Sequence, residues 1–196
     1  MSTVEKRREK IVALTTGAVL TALVILLQFL GAFIRFGVFQ VSLVLVPIVI
    51  GSALCNVKVS AWLGFVFAVI VLINGDAAPF MSINMIGTII TVIAKGVLCG
   101  LCAGLVYNAL KNKNQFLAVM AATVVCPIVN TGVFLIGCAV FFLEGISAWG
   151  FAEGYNNVVT YMFLGLAGGN FIFELVVNLI LGPSVVTLLK TLKKRG

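Results

Sequence analysis

Two charged residues stand well inside long apolar runs, Lys95 in one and Glu174 in another. A charge at the centre of a bilayer costs ~2.5–3.5 kcal/mol on insertion scales, so such a residue faces a bundle interior, a partner or a polar cavity. Two arrangements satisfy this. Lys95 and Glu174 pair and only tie their helices together, or one or both face a cavity and bind a solute. Asn130, Asn170 and Asn178 add amide donors and acceptors in the later runs. Asn170 and Glu174 are four apart and share a helical face. Asn130 follows Pro127 by three, where a proline frees backbone carbonyl groups. Three helices thus present polar groups to a common interior, and a mostly apolar pocket with a few directed polar groups is the usual form of a small-molecule site.

Other chemistry is excluded by what is missing. The chain has no histidine, which removes Ser-His-Asp and Cys-His catalysis and histidine-ligated metals. It has no G-x-x-x-x-G-K-[ST] segment, so it does not cradle ATP phosphates in the Walker manner. Uphill transport would need an ion gradient or a partner. Cys99 and Cys102 form a C-x-x-C, but inside an apolar helix, where free cysteines act as small packing residues. Cys55, Cys126 and Cys138 lack metal-ligand spacing. No enzyme activity, metal or cofactor is expected.

The elements that position these residues follow from composition. The 196 residues are 62% hydrophobic and 10% charged, with a mean hydropathy of +1.22. A soluble domain carries roughly 25% charged residues, so lipid is the expected solvent. At ~20 apolar residues per span, the pattern predicts an all-α integral membrane bundle of six transmembrane helices, near 10–34, 38–55, 59–74, 85–110, 115–143 and 157–189. The first apolar run is too long for a signal peptide. Asn74-Gly75-Asp76 reads as a turn, 77–84 as a loop or entry segment, and 144–156, where four residues are Gly or Asn, as a loop. The last span is long enough to be broken at Gly168–Gly169. One membrane-embedded domain fills 1–196, with basic tails at 1–9 and 190–196.

The charges orient this bundle. Eleven of the 13 bases, Lys6, Arg7, Arg8, Lys10, Lys58, Lys111, Lys113, Lys190, Lys193, Lys194 and Arg195, lie at the ends and in the second and fourth connections. The other connections carry Arg35, Asp76, Glu144 and Glu153. Bases mark the cytoplasmic side, so both termini are placed there. Nucleic acid is not an expected partner, since no solvated basic face accompanies these charges. Trp149, Phe151 and Tyr155 fit an interfacial aromatic belt or a lid over a ligand. Small residues at four-residue spacing allow close helix approach in lipid. Gly96, Gly100 and Gly104 read as packing within the bundle. Ala18 and Ala22, flanked by Gly17 and Thr21, read as packing or as a docking face for another protein.

These stretches together resemble the substrate-binding S component of the energy-coupling factor (ECF) vitamin transporters. The likeness is carried by Gly17-Ala-Val-Leu-Thr-Ala-Leu23, by Val46–Leu54 with Val59–Phe65, and by Ala94-Lys-Gly96 with Gly100 and Gly104. Pro127-Ile-Val-Asn-Thr-Gly132 and Gly169-Asn-Phe-Ile-Phe-Glu174 complete it. The resemblance implies a subunit of the bacterial plasma membrane that binds a vitamin or precursor on its outward side. It implies association with a transmembrane coupling protein and two cytoplasmic ATPases, and toppling to carry the ligand inward. Ala18, Ala22 and Gly17 would meet the coupling protein. Lys95, Asn130, Asn170 and Glu174 would meet the ligand, with Asn84 and Trp149 as further contacts. Lys95 and Arg35 suit an anionic ligand such as pantothenate or folate, and riboflavin stays open. The alternative is an autonomous ion-coupled carrier or small channel working through Lys95, Glu174 and Asp76. Six spans without an inverted repeat count against it.

Overall fold

The computed structural model describes residues 3–31, 35–36, 39–40 and 43–195. Helix α1 (Thr3–Gly31) leads into a two-residue antiparallel ladder, β1 (Arg35–Phe36) with β2 (Phe39–Gln40), pairing Arg35 with Gln40 and Phe36 with Phe39. Then come α2 (Leu45–Leu54), α3 (Val57–Ile73), α4 (Ala78–Ile83), α5 (Met85–Leu110), α6 (Gln115–Phe141) and α7 (Leu143–Ala152). The last rod starts as α8 (Val158–Thr160), widens into a π-helical stretch (Tyr161–Gly168) and continues as α9 (Gly169–Arg195).

Asparagines set where several helices begin. An asparagine oxygen at the N-cap satisfies a backbone N–H that the first turn leaves unpaired. Asn56 accepts from Val59 N, Asn84 from Gly87 N, Asn114 from Phe116 and Leu117 N, and Asn157 from Val159 N. Each sits in a connection between apolar runs, so the polar punctuation of the sequence is also the capping chemistry.

Among the described residues, four helical segments are long and apolar enough to cross a membrane: Ile11–Gly31, Met85–Leu110, Gln115–Phe141 and Val158–Thr187. The apolar helices α2, of 10 residues, and α3, of 17, are shorter. At ~1.5 Å per residue, a helix as short as α2 spans only about half of a ~30 Å hydrocarbon core. The second helix therefore does not fill the expected 38–55. Its N-terminal part is taken up by the ladder, which suits the aromatic pair Phe36 and Phe39. The side chain of Arg35 lies outside the described part.

The closest packing joins α3 to α5. A Cβ on Gly96 would strike the Gly64 carbonyl, one on Gly64 would strike the Gly96 carbonyl, and one on Gly100 would strike that of Ser60. The Ser60 hydroxyl lies 2.8 Å from Gly100 O and 3.1 Å from Ile48 O, so α2, α3 and α5 share one buried donor. The glycine stripe of α5 thus serves backbone-to-backbone packing. Helix α1 covers α2 and α3, with Gly17 against Val59 and Trp62 Nε1 donating to Thr21 at 3.2 Å.

Two stretches expected to be irregular are helical. Pro79 stands in the first turn of α4, where its missing N–H costs nothing. The glycines of 144–156 divide into two kinds. Gly145 lies against Ile83 and Gly150 against Tyr161, so both are packing positions inside α7, and only Gly154, at φ +84°, makes a turn. Gly75, at φ +80°, makes the expected turn after α3. The last helix is not broken at Gly168–Gly169; the π-helical turn ends there and α geometry resumes.

Candidate functional site

Two apolar clusters divide the bundle. The larger is built around Leu45, Ile48, Leu63, Phe67, Val119 and Val185, and the smaller around Cys138, Phe142, Ile146, Tyr161 and Leu166. Between them lies a cavity of about 450 Å³. Its lining draws on α1, α3, α4, α5, α6, α7 and the last helix. Phe80 of α4 forms its apolar cover. Its ring meets Phe134 and Phe142 at 5.4 Å and Trp149 at 5.5 Å between centroids, all edge to face, a preferred aromatic geometry.

The polar part comes from four of the expected residues. Lys95, Asn130, Asn170 and Glu174 all line the cavity. The Lys95 nitrogen stands 5.4 Å from the Phe134 ring centroid and 5.7 Å from that of Phe67, a cation–π placement. Lys95 and Glu174 face the same space, but among the described residues no carboxylate lies within 4.0 Å of the Lys95 nitrogen. Glu174 is 1% exposed. Its Oε1 accepts from Asn170 Nδ2 at 3.0 Å. Asn178, one turn further along, donates to Glu174 O at 2.7 Å and lies outside the lining. Among the described residues, four buried atoms on the cavity lining have no hydrogen-bond partner: Thr91 Oγ1, Asn130 Oδ1, Asn170 Oδ1 and Glu174 Oε2. Native structures leave few buried polar atoms unpaired, because each costs ~1–3 kcal/mol. Four around one cavity mark a surface built for a polar ligand.

The π-helical stretch brings the last helix into register. Tyr161 and Asn170 are nine residues apart, which is two and a half turns at ~3.6 residues per turn and would place them on opposite faces of a uniform α-helix. Instead Tyr161, Leu166, Asn170 and Glu174 all line the cavity, in steps of five, four and four. The five-residue step is the π turn, a feature frequent at functional sites.

Trp149 also lines the cavity. Asn84 is not among the lining residues; its side-chain oxygen caps α5 through Gly87 N. Ala18 and Ala22 lie exposed on the outer face of α1, whereas Gly17 is turned inward onto Val59. Several lining residues were not anticipated. Gln28, the amide in the first apolar run, donates to Asp76 Oδ2 at 2.9 Å. Its isolation in that run was a usable signal. The Tyr161 hydroxyl donates to Glu153 Oε1 at 3.2 Å, tying the last helix to the end of α7. Thr88, Thr91, Phe67 and Phe134 carry no signal in sequence, since threonine and phenylalanine are ordinary in spans.

An apolar helical bundle with a polar-floored, aromatic-covered cavity and no cluster of metal-ligating residues among those described defines a membrane protein that binds a solute. Residues 12–188 match the family described as "ECF transporter, substrate-specific component", and the chain belongs to that family. It is therefore a multi-pass membrane protein and the substrate-binding subunit of a transporter that works with membrane and ATPase components, and its family is not one of enzymes. Comparison with curated proteins and with solved structures gave no match.

Proposed function

We propose that the chain captures a vitamin or vitamin precursor with high affinity at the outer face of the bacterial plasma membrane. Uptake is energised by two cytoplasmic ATPases through a transmembrane coupling protein. In this reading the apolar segment 38–55, of which α2 is the helical part, and α3 also cross the bilayer, giving six spans, and the basic termini are cytoplasmic. The cavity lies at the end of the bundle opposite Lys111, which agrees with an outward-facing site under the positive-inside rule. The observation that carries the proposal is the set of four unpartnered buried polar atoms around one cavity with a lysine beside them. A volume of about 450 Å³ is of the size that takes a small molecule. The Lys95 ammonium, without a carboxylate in contact, favours a ligand bearing a carboxylate or phosphate, such as pantothenate or folate.

Native mass spectrometry of the purified protein tests this. A retained small molecule of vitamin mass is the expected result. A protein that carries none, and binds none from a vitamin panel, would overturn the proposal. Ion-dependent uptake by the chain alone in liposomes would instead favour an autonomous carrier.

A further inference from the structure

We infer that the polar floor of the cavity reads the N–H edge of a flat aminopyrimidinone ring, fused or single, with an acceptor or anionic group directed to Lys95; this rests on the solute-capture reading above. The argument is one of polarity. Asn170 spends an amide N–H on Glu174 Oε1 at 3.0 Å. That amide is thereby oriented and its carbonyl oxygen is left over, as is the carbonyl oxygen of Asn130. Of the four unpartnered atoms, Asn130 Oδ1, Asn170 Oδ1 and Glu174 Oε2 are acceptors, and Thr91 Oγ1 both donates and accepts. A floor of acceptors rejects the carboxylate end of a ligand and selects a cluster of donors. An aminopyrimidinone edge supplies three N–H groups, two on its exocyclic amine and one on the adjacent ring nitrogen. That number equals the three acceptor oxygens. The ring carbonyl beside that nitrogen, or an anionic substituent, is then left for Lys95, the one cation among the described lining residues.

The walls select flatness. Phe67, Phe80, Phe134, Phe142, Trp149 and Tyr161 all line the same space. Aromatic faces reward a planar π-system over a branched, saturated chain. A hydroxy-acid ligand such as pantothenate can donate from its hydroxyls but offers these walls no ring.

The test is calorimetric titration of the ligand-free protein in detergent with three probes: 6-carboxypterin, its 2-dimethylamino analogue and pantothenate. 6-Carboxypterin is expected to bind most tightly. Blocking the amine, or changing Glu174→Gln, is expected to weaken it about 30- to 100-fold, the worth of a hydrogen bond to a charged group. Glu174→Gln is nearly isosteric, and an unchanged thermal unfolding midpoint would show an intact bundle. The ligand-side comparison does not depend on that variant folding. Failure of 6-carboxypterin to bind, equal binding of the blocked analogue, or tighter binding of pantothenate overturns the inference. If pantothenate or a retained small molecule occupies the cavity in that case, solute capture stands. If nothing binds and nothing is retained, both readings fall.

Discussion

Lys95 holds its charge over two aromatic rings and not against a carboxylate, and this separates binding from stability at one residue. A buried ion pair that loses one partner is strongly destabilised, by ~3–5 kcal/mol, because the other charge is left uncompensated. Lys95 and Glu174 share a cavity without touching, so Lys95→Met should leave the thermal unfolding midpoint near that of the parent. It should weaken an anionic ligand by about 10- to 100-fold, the loss of one charge-assisted hydrogen bond. A double-mutant cycle with Glu174→Met reads the same point: a coupling well below the ~3–5 kcal/mol of a broken buried ion pair is expected of side chains that are not in contact. Strong destabilisation by either single change, relieved in the double, would identify a structural pair instead. Residues such as Lys95, Asn130, Asn170 and Glu174 were legible because lipid makes a polar side chain expensive and hence informative. Thr91 was not, since its hydroxyl can return to a backbone carbonyl in any span, as Thr123 does to Val119 O at 2.7 Å. Only the fold shows that Thr91 leaves its hydroxyl unpaired beside the cavity.

At the scale of elements, glycine carries two meanings that composition does not separate. Gly75 and Gly154 are turns, whereas Gly64, Gly96 and Gly100 are the surfaces on which α3 and α5 touch. Gly96→Val should therefore destabilise the bundle by at least the ~1–3 kcal/mol of ordinary overpacking, because the group it meets is a backbone carbonyl that cannot rotate away. Denaturant titration in detergent measures this, with Gly132→Ala as the control, since a Cβ at Gly132 meets open space. The span pattern was legible for the same reason as the buried charges, namely that apolar run lengths report bilayer thickness. The π turn was not, because its eight residues Tyr161–Gly168 read as any other apolar helix. It makes a prediction of unusual form. Deleting the exposed Leu164 shortens the five-residue step to four, so the stripe from Tyr161 to Glu174 survives as plain α-helix and ligand binding should persist. Deleting the exposed Ile172 turns Glu174 by about 100° around the helix axis relative to Asn170, and so away from the cavity, and should abolish binding while helical content by circular dichroism stays the same.

For the whole molecule, the question is which surface is left over once the cavity and its packing are accounted for. The inner face of α1 is occupied: Gly17 meets Val59, Thr21 receives Trp62, and Gln28 reaches Asp76 at the cavity. Its outer face is not. Ala18 and Ala22 stand exposed there between Leu14, Val19 and Leu26, which are 79%, 64% and 56% exposed. Lipid covers such a face as well as a protein does, but lipid is indifferent to side-chain size. A docking helix is not, because small residues are what permit close approach in a membrane. Ala18→Trp therefore distinguishes the two. Ligand titration of the purified subunit should be unchanged, since the substitution points away from Gln28 and the cavity. Uptake in cells holding the complete transporter should fall to background, and co-purification with the coupling protein should be lost. Ala18→Leu, which matches the size of its neighbours, should give an intermediate loss. Full uptake by the tryptophan variant would assign this face to lipid and move the docking surface elsewhere on the bundle.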